Sequence, residues 1–433
     1  MEGTIVLYPI IAIGHIVSMV ELGKLILRHY RHRLSVTVLI AEGPLDTPDA
    51  TAFLCHISKN THSINFHRLP FLSNNPSPNG NRSMIRTDFI HLNNPNLHQA
   101  LQTISKISRI RAFVIDIFST PALSVSSDLG IPTYYFLAGG SVTLSFLLYL
   151  PIIHDQTTKS FKDIPTTHLH FPGLPPMPAS YLPEPVQDRE LQVYYDFLEI
   201  GSNLCKSKGI IVNTFECLES TVIKAIIDGL CVPDAPTPPV YCIGPLITSP
   251  NNRSGEGETV NQCLSWLDGQ PSQSVVFLNF GSRGVFSAAQ VREIAIGLEK
   301  SRQRFLWVLR EPVSEDNNKH FAVEHKDPDL EALLPEVCAG VPMVAWPLYA
   351  EQYINKAFLV EEMKFAMAME ELEDGLVSAT EVEKRVLALM ESEEGRVLRE
   401  RSRKMKEEAM SVWSECGSSM IAFAKLVESW ISQ

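Results

Sequence analysis

The sequence predicts an α/β protein of two domains, each built on a parallel β-sheet covered by helices. The chain has 433 residues, which is more than one hydrophobic core usually holds. In the first half, short β-branched runs alternate with helical stretches, the pattern of a parallel sheet with crossover helices. A second alternation of this kind begins at Val275, after a polar stretch.

Each strand predicted in the first half is a short apolar run, and each predicted helix has apolar residues three or four positions apart. The predicted strands are Thr4–Tyr8, Arg33–Ile40, Asn65–Leu69, Ala112–Ile117, Thr133–Phe136, Ile210–Thr214 and Val240–Cys242. The predicted helices are Ile16–His29, Leu97–Ile107 and one that follows Ser141. Prolines crowd the segment Phe161–Asp188, which predicts a long surface loop, either a spacer or a wall of a binding cleft.

A polar linker at residues 247–260 divides a predicted first domain, residues 1–246, from a predicted second domain, residues 261–433. The strands predicted in the second domain are Val275–Asn279, Phe305–Leu309 and Val341–Trp346, with a helix from Ser287. This is little material for a Rossmann-type domain, because each parallel crossover needs a helix of its own. The tail, 380–431, predicts helices anchored by Trp413 and Trp430.

Composition excludes several classes of protein. The net charge of −12 disfavours nucleic acid as a partner, since binding to a phosphate backbone needs a clustered basic face. The eight cysteines are scattered with no Cys-x-x-Cys pair, which predicts reduced thiols in a cytoplasmic protein and no metal site. The N-terminus has no pattern of a cleaved signal. The uncharged stretch 134–153 contains glycine, serine and threonine, which favours a strand, turn and helix over a membrane span.

Four motifs carry a resemblance to a known family. They are YPIIAIGHIVSMVELGKLIL near the start, VIDIF with GIPTYYF in the first half, VVFLNFGSRGVFSAAQVREIAIGLEKSRQRFLWVLR at the start of the second half, and VPMVAWPLYAEQ after it. Together they resemble the plant UDP-glycosyltransferases, in particular the branch that glucosylates flavonoids and related phenols. The resemblance covers nearly the whole chain.

The resemblance implies a GT-B fold, in which two Rossmann-like domains face each other across a cleft. It implies that the first domain binds the phenolic acceptor and that the second binds UDP-glucose. It also implies an inverting transfer at the anomeric carbon without a metal or other cofactor, in a monomeric cytoplasmic enzyme that is not inserted in a membrane.

The resemblance assigns the catalytic roles to His15 and Asp116. A phenol has a pKa of about 10, so a base must take its proton as the oxygen attacks. Imidazole suits this task because it is largely neutral near pH 7. Asp116 lies at the end of a predicted strand. In the family, a carboxylate at this position accepts a hydrogen bond from the second ring nitrogen of the base.

The remaining site residues also follow from the resemblance. Gly281 and Ser282 lie at the turn after the first strand of the second half, where backbone N–H groups can meet a diphosphate. Glu351 and Gln352 occupy the positions that bind sugar hydroxyls, and glutamine there favours glucose over galactose. Apolar rings that could line an acceptor pocket are those of Phe118, Phe136 and Phe146, although aromatic side chains at helix and strand spacing more often belong to the core.

The chain departs from the family pattern in the second domain. The nucleotide-sugar box of the family begins with Trp-Ala-Pro-Gln and continues through His-Cys-Gly-Trp-Asn-Ser, and neither occurs in this sequence. We therefore expect an internal deletion of about one and a half βα units between Glu336 and Val337. A smaller departure is Ile13, where many relatives carry a small polar residue.

Three interpretations follow from these motifs. The first is a UDP-glucose-dependent O-glucosyltransferase. The second is an acceptor-binding protein with impaired catalysis, or an incomplete gene model, that lacks most of the donor site. The third, a Rossmann oxidoreductase, is disfavoured because no Gly-x-Gly-x-x-Gly follows a strand.

Overall fold

A computed structural model describes residues 2–43, 48–61, 63–72, 87–247, 258–281, 284–310, 333–372 and 375–432. The chain divides into two units. Unit 1 comprises Met1–Ser249, His325–Leu334 and Ala409–Gln433. Unit 2 comprises Pro250–Glu324 and Pro335–Glu408.

Unit 1 contains a seven-stranded sheet with the order β3-β2-β1-β4-β5-β8-β9, and all its strand pairs are parallel. Its strands are β1 (Gly3–Tyr8), β2 (Leu34–Ile40), β3 (Asn65–Arg68), β4 (Ile110–Asp116), β5 (Thr133–Leu137), β8 (Gly209–Val212) and β9 (Val240–Cys242). The helices between them are α1 (Ile13–Tyr30), α2 (Pro48–Asn60), α3 (Thr87–Ile107), α4 (Ala122–Asp128), α5 (Ser141–Gln156), α6 (Gln192–Leu204) and α7 (Ser220–Ile227). The central strands are buried along their whole length because helices cover both faces.

Two segments of unit 1 differ from their predicted form. Helix α3 begins at Thr87, ten residues before the predicted start, and it includes Pro95. The proline-rich segment is not an irregular loop throughout: it contains the short antiparallel strands β6 (His168–Leu169) and β7 (Met177–Pro178) and several 3₁₀ turns. In the part of the chain that the structure describes, no helix is long and apolar enough to cross a membrane.

The last helix of the chain, α14 (Ser418–Ile431), packs on unit 1. Trp430 is fully buried in the core cluster that α1 and the central strands form, and its ring meets that of Tyr134 edge-on at 5.8 Å. Trp413 is partly buried against the same cluster. The sequence analysis assigned residues 261–433 to the second domain, whereas α14 belongs to unit 1 because its apolar face fills that core.

Replacing Trp430 with alanine should destabilise unit 1 by about 3–5 kcal/mol, since a large buried aromatic side chain is lost and a cavity remains. The matched control is Ile421→Ala on the same helix, where the side chain is 44% exposed and the expected loss is under about 1 kcal/mol. Urea unfolding followed by tryptophan fluorescence and by circular dichroism measures both. Equal losses in the two variants would contradict the docking of α14 through Trp430.

The strands of unit 2 form two parallel pairs. One pair is β10 (Val275–Leu278) with β11 (Arg304–Trp307), and the other is β12 (Met343–Ala345) with β13 (Ala366–Ala368). The helices of this half are α8 (Glu258–Asp268), α9 (Ala288–Ser301), α10 (Leu333–Ala339), α11 (Gln352–Ala357), α12 (Ala379–Glu391) and α13 (Glu393–Ser411). A small core joins α9 and α12 to one face of the strands through Ile294, Leu298 and Val382.

Phe277 of β10 and Phe305 of β11 are 53% and 43% exposed, and the register of the two strands points them to opposite faces of the pair. Parallel strands are ordinarily buried on both faces. Apolar residues of α8 are exposed as well, among them Leu264 and Trp266. Unit 2 therefore leaves apolar surface in contact with solvent that a complete doubly covered sheet would bury.

Candidate active site

The carboxyl edge of the unit 1 sheet brings His15 and Asp116 together. Strands β1 and β4 are neighbours, so the first turn of α1, which follows β1, lies beside the end of β4. The Nδ1 atom of His15 lies 2.7 Å from Oδ2 of Asp116, and both side chains are buried. These two residues are 101 positions apart in the chain, so the fold alone creates their contact.

Asp116 is held in place by a second hydrogen bond. Its Oδ1 accepts the backbone N–H of Phe118 at 2.9 Å, which caps the 3₁₀ turn Ile117–Ser119. With one carboxylate oxygen fixed by the backbone and the other at Nδ1, Asp116 orients the His15 ring. In the tautomer that donates from Nδ1 to this carboxylate, the imidazole lone pair is on Nε2.

Aromatic rings lie next to this pair. The Phe118 ring is 5.5 Å from the His15 ring, and Phe197 of α6 meets Phe118 edge-on at 6.2 Å. The sequence analysis did not single out Phe197, because one phenylalanine on an amphipathic helix carries no signal of its own. Its neighbour Asp196 is buried, and this burial raises the pKa of the Asp196 carboxyl.

The other two predicted acceptor residues are interior side chains. Phe136 lies opposite Asp116 in the register of β4 and β5 and belongs to the main core cluster. Phe146 of α5 packs against Phe171 with ring centroids 5.8 Å apart. Of the three predicted phenylalanines, Phe118 is the one whose ring lies against the ring of His15.

In unit 2, the predicted donor residues Gly281 and Gln352 converge. Gly281 follows β10 with φ of 74°, and a Cβ at this position would collide with the hydroxyl of Tyr349 and lie 3.7 Å from Nε2 of Gln352. The backbone N–H of Gly281 donates to Oδ1 of Asn279 at 3.2 Å. The segment that ends in Glu351 and Gln352 therefore lies over the turn that begins at Gly281.

Glu351 and Gln352, the predicted sugar-binding pair, are also ordered by local contacts. Oε1 of Gln352 accepts the backbone N–H of Leu348 at 2.8 Å. Glu351 is buried and its carbonyl accepts the N–H of Asn355 in the first turn of α11. Ser282 lies outside the described residues. Tyr349 was missed as a site residue, although it stands inside the matched motif.

Gly281→Ala should destabilise unit 2 more than Gly375→Ala does. Both glycines have positive φ, of 74° and 79°, so alanine costs about 1–2 kcal/mol of backbone strain at either position. Only at Gly281 would the new methyl group meet Tyr349, whereas nothing lies within 4 Å at Gly375. Thermal unfolding of both variants measures the difference, and an equal shift in melting temperature would show that the Tyr349 contact does not form.

Among the described residues, no cluster of histidine, cysteine or acidic side chains could hold a metal ion. All eight cysteines lie in the described part of the chain, and each is a free thiol. Burial raises the pKa of the thiols of Cys242, to about 12, and Cys338, to about 11, so these two are poor nucleophiles.

Comparison with known proteins shows the family of this chain. It is 46% identical to UDP-glycosyltransferase 88F3 of Pyrus communis, over 99% of this chain and 100% of that protein. It is 44% identical to a phloretin 2'-O-glucosyltransferase of Malus domestica, over 99% of this chain and 100% of that protein. No protein-family model matches the chain.

Solved structures agree with these relatives. UGT2 of Phytolacca americana, solved with UDP-2-fluoro-glucose and pterostilbene, has a TM-score of 0.85 and 30% identity, and the match covers 100% of both chains. A UDP-glucosyltransferase of Polygonum tinctorium, which glucosylates indoxyl, has a TM-score of 0.86 and 29% identity over 100% of this chain and 99% of that one. The chain has the GT-B fold of these enzymes, as the motifs predicted. It belongs to the plant UDP-glycosyltransferase family.

Proposed function

We propose that this chain is a UDP-glucose-dependent O-glucosyltransferase, by descent and by its catalytic pair, and that its acceptors are phenols of the flavonoid class. The observation that carries the proposal is the 2.7 Å hydrogen bond between Nδ1 of His15 and Asp116. Relatives support the acceptor class, since two are named for the 2'-hydroxyl of phloretin and for the 5- and 3-hydroxyls of anthocyanidin.

In the proposed reaction, Nε2 of His15 removes the proton of the acceptor hydroxyl as its oxygen attacks the anomeric carbon. A new carbon–oxygen bond forms on one face while the bond to the UDP phosphate oxygen breaks on the other, which inverts the configuration. The electron pair of the broken bond leaves with UDP. Asp116 stabilises the imidazolium that results, because the carboxylate lies at hydrogen-bond distance in a buried site. This step uses no metal and no cofactor other than the donor sugar.

The acceptor would bind in unit 1 beside the rings of Phe118 and Phe197. An aromatic acceptor can pack against such rings in an edge-to-face or offset arrangement, which favours flat phenols over aliphatic alcohols. Phe136 and Phe146 would support the same pocket as core side chains packed behind its wall. The proposed domain roles are those predicted from the sequence, in which residues 1–246 bind the acceptor, 247–260 link the domains and 261–433 bind the donor, except that the segment from Ala409 onward belongs to the acceptor unit.

The donor would bind in unit 2. Glu351 and Gln352 would bind the hydroxyls of glucose, and the turn at Gly281 and Ser282 would approach the diphosphate. The contact of Tyr349 with Gly281 supports this assignment, because it brings the matched segment over the turn. We further propose that the enzyme is a cytoplasmic monomer.

We also propose that the donor half has lost an internal segment after Glu336. The alignment with the pear relative runs over 481 positions and this chain has 433 residues, so at least 48 of those positions (481 against 433) have no counterpart here. The exposure of Phe277 and Phe305 also supports the loss of a segment, since the lost βα units would cover these side chains. A second candidate function rests on this loss: a protein that binds the acceptor without transferring glucose.

Two measurements separate these functions. Turnover of phloretin with UDP-glucose, followed by chromatography of the glucoside, supports the transferase if the product forms and the binding protein if phloretin binds unchanged. Failure to bind phloretin would contradict both. Sequencing the transcript across the codons for Glu336 and Val337 shows whether the segment is absent from the transcript itself or was only omitted when the exons were predicted.

A further inference from the structure

Helix α5 begins without a capping side chain of its own. Its N-cap residue is Gly140, which has no side chain to accept the N–H groups of the first turn. The carboxylate of Glu219 does so from 78 residues away: Oε2 accepts the N–H of Ser141 at 2.6 Å, and Oε1 accepts the N–H of Val142 at 3.2 Å. Two of the N–H groups that a helix start leaves unpaired are therefore bound by a remote carboxylate.

The surroundings of Glu219 form a closed pocket for this carboxylate. Glu219 is only 3% exposed, and its two carboxylate oxygens are held by the backbone N–H groups of Ser141 and Val142. Burial raises the pKa of Glu219, and these hydrogen bonds act in the opposite direction. At Gly140 a Cβ would collide with the carboxylate, so glycine leaves the space that the carboxylate fills.

The position of this pocket connects it to the catalytic pair. Strand β5 lies between β4, which ends at Asp116, and β8, whose following loop carries Glu219. Glu219 thus ties the loop after β8 to the turn after β5, beside the end of β4. Its backbone also begins α7, since its carbonyl accepts the N–H of Ile223 at 2.9 Å. One residue fixes the starts of two helices.

Helix α5 transmits this placement toward the acceptor side. It packs on α6. Helix α6 carries Phe197, which contacts Phe118, and Phe118 contacts His15. A shift at the start of α5 would therefore move the rings beside the catalytic histidine.

We infer that the start of α5 is a built carboxylate-binding site, occupied by the chain's own Glu219, and that Glu219 is a positioning residue for the acceptor pocket. The ligand class is a small monocarboxylate. Glu219→Ala removes a CH₂–COO⁻ group, which has the size of acetate, so acetate should enter the vacated pocket and bind the N–H groups of Ser141 and Val142. The site itself is independent of the proposed function, and only its effect on acceptor binding rests on that function.

The test is thermal unfolding of the full chain in acetate and in chloride at equal ionic strength. Glu219→Ala should lower the melting temperature by about 5 °C or more, since it leaves the two buried N–H groups of Ser141 and Val142 without their acceptor. Acetate at about ten times its Kd should raise the melting temperature of this variant by about 2–4 °C more than chloride does. The unaltered chain and Glu219→Gln, whose pockets are filled, should not respond to acetate. The matched control is Glu216→Ala in the same loop, where the side chain is exposed.

If Glu219→Ala is unfolded at room temperature, its refolding yield in acetate is compared with its yield in chloride. A higher yield in acetate then reports acetate binding to the vacated pocket. An equal response to acetate and chloride, or a melting temperature of Glu219→Ala equal to that of Glu216→Ala, would overturn the site. For the positioning role, phloretin binding should weaken about tenfold in Glu219→Ala at a temperature where the protein is folded, and acetate should restore it. Acetate that stabilises the fold without restoring phloretin binding would overturn the positioning role alone. If the unaltered chain does not bind phloretin, the proposed function fails while the thermal result still decides the site.

Discussion

His15→Ala is expected to lower the turnover of a phenolic acceptor by about 10²- to 10⁴-fold, the range that a positioned general base contributes. The histidine is the group at the carboxyl edge of the unit 1 sheet whose ring is oriented by a buried carboxylate. Without it, the acceptor would have to attack as a neutral phenol or depend on its small ionised fraction. The measurement is the rate of glucoside formation at saturating acceptor and donor. If the chain is inactive, the same measurement is made on a chain in which the segment of the Pyrus communis relative is inserted after Glu336.

The pH dependence distinguishes loss of the base from a general disturbance. In His15→Ala the residual rate should rise with pH up to the pKa of the acceptor, about 10, because only the phenolate can then attack. An acceptor of lower pKa should lose less activity. The matched control is His29→Ala at the exposed end of the same helix, which should leave the rate unchanged. Equal rates for His15→Ala and the unaltered enzyme would remove the proposed base.

Asp116→Asn belongs to the same experiment. The amide can still accept the N–H of Phe118, yet it carries no charge to stabilise the imidazolium, and its NH₂ can force the other tautomer on the ring. We expect a loss in kcat of a size comparable to that of His15→Ala, with KM for the acceptor little changed. A loss confined to KM would place Asp116 in binding instead of catalysis.

The sequence could predict the catalytic pair because its two residues stand at positions that the topology of a parallel sheet brings together. A strand end and the turn after a neighbouring strand meet at the carboxyl edge, and both VIDIF and the segment around His15 mark such points. The seven strands of the main sheet were predicted to within two residues at each end for the same reason: apolar β-branched runs bounded by polar turns are a local signal. The family motifs then supplied the roles of the residues.

Contacts that depend on long-range packing could not be predicted in this way. The docking of α14 on unit 1 depends on the fit of Trp430 into a core formed some 300 residues earlier in the chain, and no local pattern specifies that partner. The capping of α5 by Glu219 is similar, since Gly140 alone suggests a turn and Glu219 alone suggests an exposed helix start. Helix α3 was predicted ten residues too short, and the unpredicted part contains Pro95, a residue type that usually interrupts a helix.

Restoring the missing segment is expected to have the second large effect, this time on donor binding. In the chain as it stands, we expect UDP to bind at best in the millimolar range, because the helix start that grips the diphosphate in the family motif is absent from the sequence. Charge-assisted hydrogen bonds to phosphate contribute about 1.5–3 kcal/mol each, so the loss of two or three lowers the affinity by about 10²- to 10⁶-fold. In addition, the N–H of Gly281 already donates to Oδ1 of Asn279, so this one group would have to exchange partners to bind the diphosphate.

Insertion of the corresponding segment of the pear relative between Glu336 and Val337 should bring UDP affinity to the micromolar range, as measured by calorimetric titration. The same insertion should reduce the binding of a hydrophobic dye, since the restored βα units would cover Phe277 and Phe305. The control is an insertion of equal length made of glycine and serine, which should change neither quantity. Micromolar affinity for UDP in the chain without an insertion would contradict the loss of the donor site. Dye binding could also stay high while UDP affinity is restored. That result would show that the exposure of Phe277 and Phe305 is a property of the intact domain and is not caused by the loss of the segment.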